Sequence, residues 1–186
     1  MTRFPGDAVQ RESPRLRRLV EENAEHIVRW FRDPTVSRFL DPHFRGIERV
    51  RRLIAKAHPA DPWTLRGITL EGRLIGYCSI DDVDTMIGKA QVGIVIGDPA
   101  CWSQGIGKRV MGLLLAHCFG ELELHRALAI IARGNERSSR LFELLGFVHE
   151  GTLREATLVD GVRTDLLCYS MLEHEYRANQ ESYDSK

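Results

Sequence analysis

The segment GIVIGDPACWSQGIGKRVMGLLL, residues 93–115, constrains this chain more than any other. A β-branched run, Ile94-Val95-Ile96, breaks at Gly97-Asp98-Pro99. Gly-Ile-Gly follows at 105–107, and apolar residues then recur at helical spacing. Strand, glycine loop and helix together suit phosphate, because the amides at a helix start are unpaired and lie at the positive end of the helix dipole. Three such cradles differ in spacing. A P-loop fails twice: Arg109 follows Gly107-Lys108 where Ser or Thr is needed, and Trp102 stands where the first glycine belongs. A dinucleotide fingerprint needs a third glycine at 110, which is Val110, and an early βαβ unit, whereas an antiparallel-looking meander precedes this loop. Two readings stay open. One is an acyl-CoA loop in which Ser103–Lys108 offers consecutive N–H groups to a pyrophosphate. The other is a plain turn that packs a helix against a strand.

The rest of the chain alternates in texture. Leu16–Val20 reads as an opening strand, and Asn23 is expected to cap a helix over Ala24–Arg32. A short helix over Thr35–Leu40 follows, and Ile47, Val50, Leu53, Ile54 and Ala57 mark a third before Pro59 and Pro62. Trp63–Leu70 and Leu74–Ile80 are strand-like runs about Glu71-Gly72-Arg73, with Lys89–Ile96 the next strand. The spacing predicts a helix over Gly105–Phe119, a buried strand over Arg126–Ala132, and a helix over Asn135–Leu145 closed by Gly146. Phe147–Val159 and Val162–Met171 form a hairpin on Asp160-Gly161. The order β-α-α-α-β-β-β-α-β-α-β-β describes a mixed α/β domain around one sheet.

At 186 residues the chain reads as one domain over 15–175, with a loose leader at 1–14 and a polar tail at 176–186. Net charge is zero and no stretch interleaves basic and aromatic residues, so no nucleic-acid partner is expected. The apolar runs, Leu113–Ala116 and Ala127–Ala132 among them, are too short for a membrane. Four scattered cysteines without a Cys-x-x-Cys point to a reduced, cytoplasmic protein. The seven histidines lack metal-ligand spacing, so no metal is expected; His43 beside Pro42 is a candidate substrate contact.

A second motif, "RGNERSSRLFELLGF" at 133–147, joins the glycine loop. Together the two segments resemble the GNAT acetyltransferase superfamily, whose signatures are Arg/Gln-x-x-Gly-x-Gly/Ala after a strand and Asn-x-x-Ser/Ala-x-x-Leu-Tyr-x-x-x-Gly-Phe. "RLRRL", "RWFRDP", "YCSI", "WSQGIG", "ELHRA" and "EGTLREATLVDGVRTDLLCYSM" recur in register with the branch of ribosomal-protein N-terminal acetyltransferases, the RimJ/RimL branch. The resemblance covers roughly residues 15–175. It implies the GNAT acyl-CoA N-acyltransferase fold, α/β with one mostly antiparallel central sheet and a splayed strand pair.

The same resemblance implies acetyl-CoA as co-substrate. Ile94, Val95 and Ile96 would line the pantetheine arm, with the Ile96 N–H polarising the thioester carbonyl. Ser103, Gln104, Gly105, Ile106, Gly107 and Lys108 would wrap the pyrophosphate, and Asn135 would bond the arm. Lys108, Arg109 or Arg140 would meet the adenosine phosphate. Trp102 replaces the Arg/Gln of the first signature, so phosphate contact falls to main chain. Phe142 stands where many members carry the Tyr that protonates the departing thiolate; Ser138 would be the substitute acid, or would only complete the helix cap. Gln91 stands where related enzymes often carry a Glu base; Asp81, Asp82, Asp84 and Glu155 are the remaining candidates, and none is singled out.

The lack of an evident base bears on the acceptor. Deprotonating a lysine-like amine at pH 7 costs about 4.6 kcal/mol, against about 1 kcal/mol for an α-amine. A low-pKa amine therefore suits the chain, either a protein or peptide N-terminus or a small molecule such as a nucleotide-linked amino sugar; a polyamine suits it poorly. Arg29, Arg32, Arg38, Arg45, Arg49, Arg51, Arg52 and Lys56 would give the acceptor side a basic wall or a plain solvated face. A non-catalytic acyl-CoA-binding or regulatory module is the rival from another class, and a homodimer is compatible with the sequence.

Overall fold

A computed structural model describes residues 13–40, 45–57 and 64–184. Most of the expected leader, and His43, lie outside the described residues. Seven strands form one sheet in the order β1-β2-β3-β4-β5-β7-β6. They are β1 Arg15–Arg18, β2 Leu65–Leu70, β3 Arg73–Asp84, β4 Lys89–Ile96, β5 Arg126–Ala132, β6 Val148–Val159 and β7 Val162–Leu172. Every neighbouring pair is antiparallel except β4 and β5. The chain reaches β5 from β4 through a crossover helix, α4 Ile106–Ala116.

Helices cover the sheet on two faces. α1 Ala24–Arg32 buries Ala24, Ile27, Val28 and Phe31 at 3–4-residue spacing. They pack with Val50 and Ile54 of α3 Ile47–Lys56, and with Leu19 and Leu65. On the opposite face α4 inserts Ile106, Val110, Met111, Leu114 and Leu115 among Ile68, Ile75, Ile80, Val92 and Ala127. The larger core thus lies between α4 and the centre of the sheet. α2 is a single turn, Pro34–Ser37, started by Asp33 accepting from the Thr35 N–H at 2.9 Å. The expected extension to Leu40 is a turn instead.

Two hairpins follow from turn chemistry. Glu71-Gly72 joins β2 to β3 with φ of 50° and 75°, and Asp160-Gly161 joins β6 to β7 with 52° and 78°. Positive φ at both central residues fits the right-handed twist of the strands and favours Gly at the second position.

Three boundaries depart from the local reading. Asn23 does not cap α1 with its side chain. Its Oδ1 accepts from the Val20 N–H and from Arg17 Nη1, each at 3.0 Å, and so closes the turn before the helix. α4 ends at Ala116 and gives way to a wider π turn, His117–Glu121, that carries Cys118 and Phe119 into the core. The chain end forms α6 Glu173–Asp184, and the Tyr176 ring stacks on Phe119 with centroids 4.8 Å apart. The polar composition of this helix conceals one aromatic anchor. None of the four cysteines is in a disulfide, and burial pushes the Cys78 thiol up to about 12. Among the described residues no helix is long and apolar enough to cross a membrane.

Candidate active site

The sheet opens in the middle. The parallel pairing of β4 with β5 covers Lys89–Arg126, Ala90–Ala127 and Gln91–Leu128, and no further. Val92 to Ile96 continue along β3 alone. The Gly97 N–H donates to the Ile75 carbonyl at 2.8 Å, in register with the β3–β4 pairing. Alternation in an antiparallel ladder then turns the polar groups of Val95 towards β3, and those of Ile94 and Ile96 towards the gap. β4 therefore offers the gap a row of main-chain hydrogen-bonding groups.

The glycine loop stands at the open end of that gap. Asp98 Oδ1 accepts from the Ala100 N–H at 3.0 Å, and Gln104 Nε2 donates to the Ala100 carbonyl at 2.5 Å. Ser103 and Gly105 both take left-handed backbone, with φ of 59° and 73°. That path delivers the chain to the first turn of α4, whose amides lack intrahelical acceptors. The two glycines serve different ends. A Cβ at Gly105 would meet nothing within 4 Å, so its left-handed φ is what selects glycine. A Cβ at Gly107 would lie 3.2 Å from Leu141 Cδ2, so this glycine sets the approach of α4 to α5 Glu136–Leu144. Ile106 is buried, while Lys108 and Arg109 are exposed. Arg109 Nη2 reaches the Gln104 carbonyl at 3.4 Å.

α5 borders the same opening. Asn135 Oδ1 accepts from the Ser138 N–H at 3.3 Å, an N-cap. Ser138 is half-buried one turn into the helix, and Arg140 is exposed. Phe142 is 2% exposed and meets Phe147 edge-on at 5.0 Å, which places it in the core behind the helix. Sequence reasoning missed the contact between this helix and the loop. Trp102 Nε1 donates to the Ile96 carbonyl at 2.8 Å, and the Arg137 guanidinium lies 3.5 Å from the centroid of the Trp102 ring. No spacing rule links residues 96, 102 and 137. The one signal in the sequence is that Trp102 replaces the Arg/Gln of the first signature.

The other face of the opening is walled by distant segments. Phe39 approaches Gly134, with Cε1 3.9 Å from where a Cβ would sit. Arg38 pairs with Asp160 at the β6–β7 turn at 2.9 Å, and Arg133 with Asp165 at 3.1 Å. Asp165 Oδ1 also accepts from the N–H of Glu155, a residue with φ of 51° where β6 bulges. That amide and the Arg133 guanidinium hold the Asp165 carboxyl below the usual carboxylate range. Of the expected basic wall, Arg38 and Arg51 face carboxylates, while Arg29, Arg32, Arg45 and Arg52 are exposed.

The candidate carboxylates separate by environment. Asp84 caps the turn after β3, accepting from the Met86 and Ile87 amides, and Asp82 and Glu155 are exposed. Asp81 is half-buried opposite Gln91 and accepts from Ser79 Oγ at 2.6 Å. Burial raises its pKa. Among the described residues no group of three His, Cys, Asp or Glu side chains could hold a metal.

A split parallel pair, a phosphate-type loop at its mouth and an Asn-capped helix beside it are together suited to a long phosphorylated thioester. The profile of the Acetyltransferase (GNAT) domain matches residues 15–148. The chain belongs to the GNAT acetyltransferase family. "Putative ribosomal N-acetyltransferase YdaF" of Bacillus subtilis is 33% identical over 114 residues, 61% of this chain and 62% of that protein. The match thus spans less than two thirds of that relative. "Uncharacterized N-acetyltransferase YoaA" of the same species is 28% identical over 165 residues, covering 85% and 92%. The crystal structure of spermidine N-acetyltransferase from Vibrio cholerae, in complex with CoA and spermine, superposes with a TM-score of 0.77. At 21% identity, over 89% of this chain and 98% of that one, it shares the GNAT fold.

Proposed function

We propose that this GNAT protein transfers an acetyl group from acetyl-CoA to a primary amine of low pKa, a protein or peptide N-terminus above all. The observation that carries the transferase reading is the end of β4–β5 pairing at Gln91–Leu128, with the glycine loop and Asn135 at the open end. The pantetheine arm lies against the Ile94–Ile96 backbone, Asn135 bonds it, and the amides of Ser103–Lys108 take the pyrophosphate. Both substrates bind together. The free amine attacks the thioester carbon, the C–N bond forms, and the Ile96 N–H stabilises the oxyanion as charge develops. The C–S bond then breaks; the attacking nitrogen sheds its extra proton to water, and Ser138 relays a proton from solvent to the departing thiolate, so that its own hydroxyl is restored. Positioning supplies most of the rate.

Charge supports this acceptor class. Asp160 and Asp165, the acids that flank the acceptor side at the β6–β7 hairpin, are each already matched by an arginine. A polycation therefore gains little there, and an amine that is partly neutral near pH 7 needs no strong base. The polyamine bound by the Vibrio cholerae protein makes a polyamine acceptor the reading to test against, with nucleotide-linked amino sugars as the small-molecule arm. Four cysteines without a disulfide fit the reducing cytoplasm.

The test is a CoA-release screen over N-terminal peptides, nucleotide amino sugars, polyamines and aminoglycosides, with calorimetry for acetyl-CoA. Release with peptides supports this reading; release with spermidine alone replaces the acceptor. Binding without release from any amine leaves a non-catalytic acyl-CoA-binding module. No binding at high micromolar acetyl-CoA removes the reading altogether.

A further inference from the structure

We propose that Arg137, held over the Trp102 ring, is the cation that grips the diphosphate of acyl-CoA, an inference that rests on the acyl-CoA reading above. The guanidinium carbon lies over the indole ring, 3.5 Å from its centroid, a cation–π contact that holds the charge in place and leaves N–H donors at the rim of the guanidinium for a ligand. Arg137 is exposed, and among the described residues no carboxylate pairs with it. Its platform is itself anchored. The Trp102 indole N–H is spent on the Ile96 carbonyl at 2.8 Å, so the ring cannot turn without breaking that bond.

Three elements meet at this clasp: the last residue of β4, the residue before Ser103–Lys108, and the second residue of α5. A planar cation beside a row of loop amides is the arrangement that binds a diphosphate bidentately. The other loop cations are placed differently: Arg109 turns back to the Gln104 carbonyl, and Lys108 is a point charge on a flexible stem. The clasp has a second consequence. With the Ile96 carbonyl already bonded to Trp102, the arm of the ligand finds the Ile96 N–H and the Ile94 groups in the gap, but not that carbonyl.

The experiment compares acetyl-CoA with S-acetylpantetheine, which keeps the arm and thioester but lacks the diphosphate and nucleotide. Arg137→Ala is expected to weaken acetyl-CoA binding about tenfold to a hundredfold, the range of a charge-assisted hydrogen bond. S-acetylpantetheine affinity should stay within twofold of wild type. Arg137→Lys, which keeps charge without the plane, is expected to recover only part of the loss. Trp102→Phe keeps a ring face but frees the Ile96 carbonyl, and should also weaken acetyl-CoA selectively. Equal weakening of both ligands by all three variants, or unchanged acetyl-CoA affinity, overturns the role of Arg137. Failure of wild type to bind either ligand overturns the acyl-CoA reading instead.

Discussion

Trp30 of α1 lies across Gly97, so close that a Cβ on the glycine would fall 2.0 Å from the indole Cδ2. Gly97 is the first residue beyond β4, so this contact docks α1 onto the end of the strand that faces the gap. Gly97→Ala should destabilise the fold by about 1–3 kcal/mol, the usual cost of overpacking. Urea unfolding measures it. Trp30→Leu in the same chain makes room and should recover part of the loss, whereas additive losses would place the strain elsewhere.

Gly105 carries a different constraint, since its left-handed backbone and not its surroundings requires glycine. Gly105→Ala is expected to cost about 1 kcal/mol while leaving the cradle open. Gly105→Asp adds a negative charge where the pyrophosphate is proposed to sit, and should abolish acetyl-CoA binding by calorimetry. Unchanged affinity in the Asp variant would reject the loop assignment.

The proposed acid is tested by separating turnover from binding. Ser138→Ala keeps the N–H that Asn135 accepts, so the helix cap survives. Turnover should fall by about a hundredfold, the low end of general acid catalysis, with acetyl-CoA affinity unchanged. A thioester with a more acidic leaving thiol should lose less. Full turnover in the variant would dismiss the role.

Asp165 ties pH to the hairpin. Its folded-state pKa lies below the ordinary 3.8, so between the two values the unfolded chain binds more protons and stability rises with pH. The contribution is complete above about 3.8 and is lost as pH falls through the lower, folded value. Asp165→Asn should therefore be less stable than wild type at pH 7, with the gap closing in stronger acid. Denaturant midpoints from pH 7 down to pH 2.5 record it, and a gap that persists through the acid range would mean that the carboxylate charge is irrelevant.

Local chemistry made much of this protein legible from its residues. The bounds of β4 and β5 and the Asp160-Gly161 turn depend on propensity and glycine conformation, whereas the turn expected over Glu71-Gly72-Arg73 closes in two residues because Arg73 joins β3. The order of the elements followed from the same local patterns, and the two signatures added the family. Tertiary structure decided the rest. Asn23 took its partners from Val20 and Arg17 because the strand before the turn brought them within reach. α6 docked through Tyr176 because the π turn had presented Phe119. Arg38 found Asp160 across 122 residues, and Arg137 found Trp102, because rotamers converge only after the strands have fixed their register. The division has one physical reason: a backbone group answers to its neighbours in the chain, whereas a long side chain answers to whatever the fold puts within its reach.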